Sequence, residues 1–304
     1  MALHRIILDC DPGVDDAVAI LLALAAPQAI SLAGITTVAG NVSADLTEYN
    51  ARRICTLANR HDIPVFAGCP RPMRDPHGYH TQVHGHDGLG GVPMPEPGFA
   101  VQRQHAVDFI IETVNAEPGN ITLCAIGPLT NIALALIKDP GIAGKIKQLV
   151  LMGGAAFCPG NVSPAAEFNF YVDPWAAHVV LSAGIPQVMF GLDVTSQARM
   201  DAAWLDALHQ RSAAGAAMAA MMRSYGAADP CLHDPCVIAW LIDPTLFSGI
   251  DGHISVITEG STAGHALAAV KTRHLAGRTP NTHIMTGVDT PRLLALLAEH
   301  LAVY

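Results

Sequence analysis

The run Leu8-Asp9-Cys10-Asp11-Pro12-Gly13-Val14-Asp15-Asp16 constrains this chain more than any other stretch of it. Leu3 to Leu8 is apolar and β-prone and reads as a short buried strand. Pro12-Gly13 is a turn signal, and Ala17 to Ala26 reads as a buried helix. Four carboxylates, Asp9, Asp11, Asp15 and Asp16, therefore crowd the end of the first strand and the first turn of the first helix. In an open α/β sheet that edge is where ligands bind. A helix N-terminus accommodates one or two acids as cap and dipole partners, which suffices for Asp15 alone. It does not suffice for four. Like charges this close repel unless something positive sits among them, and a hard divalent cation with oxygen ligands answers that repulsion.

The 304 residues are 51% hydrophobic and only 14% charged, so a large buried core is expected and disorder is not. A formal charge of -9 points away from nucleic acid, which needs a basic footprint. No apolar run is long enough to span a bilayer, and the chain enters a strand too early for a signal peptide. The seven cysteines are odd in number and form no CxxC pair, so neither a disulfide framework nor a thiolate zinc site is expected. A cytoplasmic protein follows as the default.

Strand and helix signals alternate along the chain. Ser31 to Val38 is a strand ending in Ala39-Gly40-Asn41, and Ser43 can cap a helix through Asn59. Pro64 to Ala67 is a short strand. Cys69 to Gly98, rich in Pro, Gly and His, has no period and reads as a flap over a site. A helix from about Gln104 to Asn115 precedes the strand Ile121 to Ile126, and Thr130 can cap the helix through Ile137. The strand Gln148 to Met152 ends in Gly153-Gly154, and Gln187 to Leu192 is again strand-like. Asp173-Pro174 and Asp234-Pro235 each open a helix with Asp as cap and Pro at the first position. One Ala- and Met-rich helix is expected between Asp201 and Tyr225, with Met218, Met221 and Met222 as packing. Trp175, Trp204 and Trp240 sit in helices as core. Strand candidates at Ile254–Thr258, Ala266–Thr272 and Thr282–Thr286 precede a last helix from Pro291. The pattern is that of one domain over residues 1–304, a doubly wound, mostly parallel α/β sheet with an antiparallel addition near the C-terminus.

Polar residues gather at the same sheet edge. Asn41 follows the second strand, Gly127-Pro128 lets the Ile126 carbonyl point outward, and Gly160 to Asn169 is dense in amides with one carboxylate. His233-Asp234-Pro235 joins an imidazole to another acid. Taken alone Asp234 is a helix cap; with Asp11 and Asp16 it completes a three-carboxylate cage that suits Ca²⁺ or Mg²⁺ better than zinc.

The run from Asp9 to Asp16 resembles the signature of the nucleoside hydrolases, the inosine-uridine-preferring ribohydrolases. The likeness continues through Gly40-Asn41, Gly127-Pro128-Leu129-Thr130-Asn131, Met152-Gly153-Gly154, Glu167-Phe168-Asn169 and His233-Asp234-Pro235, in the family's order. The resemblance implies a Rossmann-like nucleoside hydrolase fold and hydrolysis of the N-glycosidic bond of ribonucleosides to free base and ribose. It implies Ca²⁺ held by Asp11, Asp16, Asp234 and the Ile126 carbonyl, with Asp11 taking a proton from a calcium-bound water. Asp15, Asn41, Asn161, Glu167 and Asn169 would grip the ribose hydroxyls, and His84, Met152, Phe168, Tyr225 and His233 would line the base side. A homodimer or homotetramer would be usual.

The chemistry suits this inventory. Cleavage makes the ribose oxocarbenium-like, and carboxylates and amide oxygens stabilise that charge. A cation lowers the pKa of its water, and His233 is the best donor for the leaving base because imidazole titrates near neutrality. Four flap histidines, His77, His80, His84 and His86, could mimic a zinc site, but only Cys69 is near and the acids already supply a metal site. Among rivals, a haloacid-dehalogenase-type Mg-dependent phosphatase shares the Asp-x-Asp start but needs a lysine for the phosphate, and none of Lys138, Lys145, Lys147 and Lys271 stands in a clear motif. A dinucleotide oxidoreductase lacks GxGxxG after the first strand. A non-catalytic nucleoside- or ribose-binding protein would not need both Asp11 and His233.

Overall fold

The strand β1 (His4–Cys10) lies inside the sheet, and its alternation divides its side chains between two cores. Ile6, Leu8 and Cys10 face one hydrophobic layer and Ile7 the other. The computed structural model describes residues 3–74 and 83–304, so His77 and His80 lie outside the described residues. Eight more strands join β1: β2 (Ile30–Thr37), β3 (Val65–Ala67), β4 (Ile121–Ala125), β5 (Gln148–Met152), β6 (Gln187–Phe190), β7 (Phe247–Val256), β8 (Ala266–Ala269) and β9 (Thr282–Val288). They form one sheet in the order β3-β2-β1-β4-β5-β6-β9-β7-β8.

The pairings from β3 through β9 are parallel, and β7 and β8 are the antiparallel addition. Of the three C-terminal strands, β9 is the exception to the expected pattern. It runs parallel beside β6 and carries β7 on its other edge. The chain fills one side of β1 with β2 and β3 and then crosses to β4 on the other. That reversal of direction opens a crevice outside the carboxyl ends of β1 and β4.

The helix Val14–Ala25 is buried at every residue from Val14 to Leu24. A helix so enclosed must be apolar nearly all round, and this one is, apart from Asp15 and Asp16 in its first turn. It starts three residues earlier than its apolar run because Asp16 accepts the Gly13 N–H at 2.9 Å and closes the first turn. Ser43 stands at the N-terminus of the helix Ala44–Leu57 without a side-chain capping bond. Thr130 is the first residue of the helix Thr130–Lys138 rather than its cap, and its hydroxyl goes instead to Asp173 Oδ2 at 2.7 Å.

The stretch between Asp201 and Tyr225 forms two helices, Ala202–His209 and Ala213–Gly226, where the sequence predicts one. Asp201 caps the first through the Trp204 N–H and Ser212 caps the second through the Gly215 N–H. The two helices pack tightly: a Cβ on Gly215 would stand 2.4 Å from the Leu208 carbonyl oxygen. Met218, Met221 and Met222 are fully buried, as is nearly all of Trp204, while Trp175 and Trp240 are only partly enclosed. Among the described residues no helix is long and apolar enough to cross a membrane.

One buried amide ties the sheet edge together. Asn131 donates to Asp9 Oδ1 at 2.8 Å and to the Thr37 carbonyl at 2.9 Å, and its Oδ1 accepts the Cys69 N–H at 2.8 Å. It thereby joins β1, the end of β2 and the start of the flap. Asn131→Ala leaves the Cys69 N–H and the Thr37 carbonyl without this partner, and an unpaired buried polar group costs about 1–3 kcal/mol. We expect urea unfolding to report a loss of about 3 kcal/mol; a loss below about 1 kcal/mol would remove Asn131 from this role.

Candidate active site

The crevice between β1 and β4 deepens into a cavity of about 410 Å³. Asp11, from the turn after β1, lies on its floor beside Ile126, from the turn after β4. The turns after β2 and β4 both close on the Asp11 carboxylate, which dictates glycine at positions 40 and 127. A Cβ on Gly127 would stand 2.6 Å from Asp11 Oδ1, and one on Gly40 would stand 2.0 Å from Asp11 Oδ2. Asp11 Oδ2 accepts the Asn41 N–H at 2.7 Å, whereas the buried Oδ1 has no partner.

Asp16 underlies this arrangement. Its carboxylate accepts the backbone N–H groups of Asp11 at 3.1 Å and Gly13 at 2.9 Å and the Asn41 side-chain amide at 3.2 Å. Asp234 arrives from a distant part of the sequence, at the start of the helix Pro235–Ile242. It is one of four Asp-Pro pairs among the described residues that open helical segments, with Asp139-Pro140, Asp173-Pro174 and Asp243-Pro244. Asp173 caps the Ala176 N–H and Asp243 caps the Thr245 N–H, but the Asp234 side chain makes no capping bond. Its carboxylate meets the acids instead. Oxygens of Asp15, Asp16 and Asp234 all lie within 4.8 Å of one another. Asp11 adjoins this group, so the acids brought together include Asp15 beside the three named from the resemblance.

Asp9 behaves differently from the other acids of its run. It is buried away from the cavity, with Thr36 and Asn131 donating to its Oδ1 at 2.5 and 2.8 Å, and burial pushes its pKa up to about 7. Burial, and then the charge of Asp15, also brings Asp16 to about 7. Asp11 and Asp234 are raised well above the ordinary carboxylate range, first by burial and then by their acidic neighbours. No lysine or arginine stands among the residues described as lining the cavity. An unpartnered buried carboxylate oxygen, an all-oxygen donor set and uncompensated like charges fit a hard divalent cation. Asp15, Asp16 and Asp234 bring carboxylate oxygens together there, and Asp11 and the Ile126 carbonyl border the same cavity.

The segment after β5 supplies the second wall. Glu167 caps the short helix Phe168–Val172: it accepts the Asn169 N–H at 2.8 Å and the Gly154 and Phe170 N–H groups at 2.7 and 3.2 Å. Burial nevertheless raises its pKa. Asn169 donates both amide hydrogens inward, to the carbonyls of Ile126 and Met152 at 3.1 Å each, and so presents its Oδ1 elsewhere. Asn41 does likewise, donating to the Asp11 carbonyl and to Asp16 at 3.2 Å each. Asn161 uses its Oδ1 to accept the Phe168 N–H at 3.0 Å, which keeps its amide hydrogens for other partners. These four, with Asp15, Met152 and Phe168, line the cavity.

Two histidines mark the opposite end. His84, in the flap, accepts the Val14 N–H on Nδ1 at 3.0 Å, so Nε2 carries the proton of the neutral ring. Asp15 Oδ1 lies 3.9 Å from the same Nδ1, but a nitrogen already accepting a backbone N–H makes no ion pair there. Burial lowers the His84 pKa. Its ring stacks on Tyr225 with centroids 5.0 Å apart, and burial and Asp15 raise the Tyr225 phenol well above its usual value. The flap is held in place by Asn50, which donates to the carbonyls of Pro12 and Asp87 at 3.3 and 2.7 Å.

His233 has both nitrogens engaged: Nδ1 is 2.8 Å from Thr195 Oγ1 and Nε2 is 3.0 Å from Asp229 Oδ2. Burial works against its charge, but the Asp229 hydrogen bond, with Asp15 and Glu167, outweighs burial and leaves its pKa raised. Asp229 and Thr195 were not singled out by the sequence. Asp229 precedes a proline like a cap, and its only local signal is its spacing of four residues from His233.

Comparison with known proteins identifies the family and the fold. The model of the inosine-uridine preferring nucleoside hydrolases matches residues 6–295. An uncharacterized protein of Schizosaccharomyces pombe is 43% identical, and the pyrimidine-specific ribonucleoside hydrolase RihA of Klebsiella pneumoniae 41% identical, each over 98% of both chains. Among solved structures, a plant nucleoside hydrolase superposes with a TM-score of 0.93 at 32% identity, covering 100% of both chains. The purine-preferring ribonucleoside hydrolase from Gardnerella vaginalis gives 0.92 at 32% identity over 98% of both. The chain thus belongs to the inosine-uridine preferring nucleoside hydrolase family, whose ribonucleoside hydrolases cleave the N-glycosidic bond to free base and ribose.

Proposed function

We propose that this protein is a Ca²⁺-dependent ribonucleoside hydrolase in which Asp11 activates the attacking water and pyrimidine ribonucleosides are the preferred substrates. The observation that carries the reading is Asp11 itself: a buried carboxylate with one oxygen fixed by Asn41 and the other unpartnered beside the acid cluster. Held by Asp11, Asp16, Asp234 and the Ile126 carbonyl, Ca²⁺ when bound would supply charge balance, a grip on the ribose diol and a lowered water pKa.

The chain's own groups divide the remaining work. Asp11 Oδ1 accepts a proton from the water that attacks the anomeric carbon. Asp15 and Glu167 offer carboxylate oxygens to the ribose hydroxyls, Asn41 and Asn169 their amide oxygens, and Asn161 its amide hydrogens. The same negative and dipolar groups stabilise the oxocarbenium charge as the bond to the base breaks. Met152 and Phe168 enclose the base side with Tyr225. His84, a neutral donor at Nε2, and His233 face the leaving base, and His233 supplies its proton. Assembly as a cytoplasmic homodimer or homotetramer belongs to the same reading, with light scattering as its measure.

Ribose release from uridine, with no phosphate release from a generic phosphomonoester, is the first test of the activity. Three outcomes are expected beyond it. Exhaustive chelation abolishes turnover and Ca²⁺ restores it; full activity in protein verified metal-free by elemental analysis would sink the cation site. Asp11→Asn lowers kcat by on the order of 10²–10⁴ because the amide cannot accept the water's proton, and near-normal turnover with calcium bound would remove Asp11 from the role of base. Finally, kcat/KM for uridine and cytidine exceeds that for inosine and adenosine, as the likeness to pyrimidine-specific RihA at 41% identity suggests; equal or inverted efficiencies would overturn the pyrimidine preference alone.

A further inference from the structure

His233 is framed by two residues from different parts of the chain. Thr195 ends the short helix Leu192–Thr195 after β6, and its hydroxyl donates to the Gly191 carbonyl at 3.2 Å. With its hydrogen so committed, Thr195 Oγ1 can only accept from His233 Nδ1, which is 2.8 Å away. Nε2 is therefore the nitrogen left for chemistry, and it meets Asp229 Oδ2 at 3.0 Å. A carboxylate oxygen accepts, so Nε2 donates to it.

Asp229 is itself held in place. It follows the helix Ala213–Gly226, with its N–H bonded to the Tyr225 carbonyl at 3.0 Å, and its Oδ1 accepts the Cys231 N–H at 3.0 Å. The segment it belongs to is pinned on both sides of Cys231: the Met200 N–H bonds the Pro230 carbonyl and the Leu232 N–H the Ala198 carbonyl. Its side chain is 28% exposed and lines the cavity beside His233. A carboxylate buttressed in this way fixes both the position and the orientation of the imidazole it faces, as second partners of catalytic histidines do.

We propose that Asp229 is a positioning residue for leaving-group activation. It holds the Nε2–H of His233 at the base end of the cavity until the departing base takes the proton. The inference rests on the ribohydrolase reading above. In the step, the bond between C1′ and the base nitrogen breaks and its electron pair goes to the base. The proton passes from His233 Nε2 to the base, water adds its oxygen to C1′, and the water's proton goes to Asp11. Solvent returns a proton to His233 and takes one from Asp11 after the products leave. Asp229 loses its donor when the Nε2 proton leaves and regains it when solvent reprotonates the imidazole, and it does not itself transfer a proton.

The test is a double-mutant cycle on two substrates, uridine and 4-nitrophenyl β-ribofuranoside, whose leaving group needs little protonation. Asp229→Ala is expected to lower kcat on uridine by on the order of 10²-fold, with only a few-fold loss on the nitrophenyl riboside. His233→Ala should show the same split, and the double variant should be no slower than His233→Ala alone, because Asp229 acts through the imidazole. Asp229→Asn, which keeps an acceptor oxygen, should recover part of the uridine rate. Thermal unfolding of each variant serves as the control for folding. Equal losses on both substrates, or losses that add to those of His233→Ala, would overturn the positioning role; so would unchanged uridine turnover in Asp229→Ala. Failure of the wild-type protein to release ribose from either substrate would instead overturn the ribohydrolase reading.

Discussion

Repulsion among buried carboxylates is the interaction around which the rest of the site is built. Two unit charges at a few ångströms cost several kcal/mol even at an effective dielectric of about 20. Asp15, Asp16 and Asp234 approach within 4.8 Å with Asp11 beside them, and the fold spends hydrogen bonds to keep them there. Asp16 takes up the N–H groups of Asp11 and Gly13, which shapes the turn, and Asn41 ties Asp11 to Asp16 through its side-chain N–H groups. Glycines at 40 and 127 are the steric consequence, since any side chain there would enter the space of the Asp11 carboxylate. The sheet topology supplies the location, because the β1–β4 reversal leaves room for a ligand between two strand ends.

The two histidines at the base end divide their labour by hydrogen bonding. His84 accepts a backbone N–H and is held neutral by burial, whereas His233 donates from both nitrogens toward a hydroxyl and a carboxylate. Groups of the same type whose surroundings push them in opposite directions are the usual mark of an acid and a non-acid partner in one site. The Val14 N–H that accounts for His84 comes from the first turn of the helix that also carries Asp15 and Asp16. One helix start therefore serves both the acid cluster and the base side.

Much of this was legible in the sequence because the responsible residues carry short-range signals. The acid run, the strand endings in glycine and the Asp-Pro helix starts all read locally, and they located the sheet edge correctly. What escaped is what depends on distant partners. The Ala- and Met-rich stretch divides into two helices that pack on each other, with Gly215 against the Leu208 carbonyl, and the parallel insertion of β9 beside β6 is a matter of topology. Asp9 looks like a member of the acid cluster, yet Thr36 and Asn131 draw it away, and Asn131 lies 122 residues along the chain.

Asp234 and Asp229 show the limit most clearly, since both precede proline and both look like caps. In Asp234 the capping bond is absent and the carboxylate turns to the other acids. In Asp229 the carboxylate does satisfy a local N–H, that of Cys231, but through Oδ1 only. Its second oxygen is left to face His233, and a residue that reads as a turn-former thereby becomes a wall of the cavity. A carboxylate has two acceptor oxygens, so a structural duty on one leaves the other available to the site. The same economy recurs in Asn41, Asn161 and Asn169, each of which commits one end of its amide to the backbone. Hydrogen bonds of this kind pre-organise the side chains, and pre-organisation lowers the ordering cost of binding.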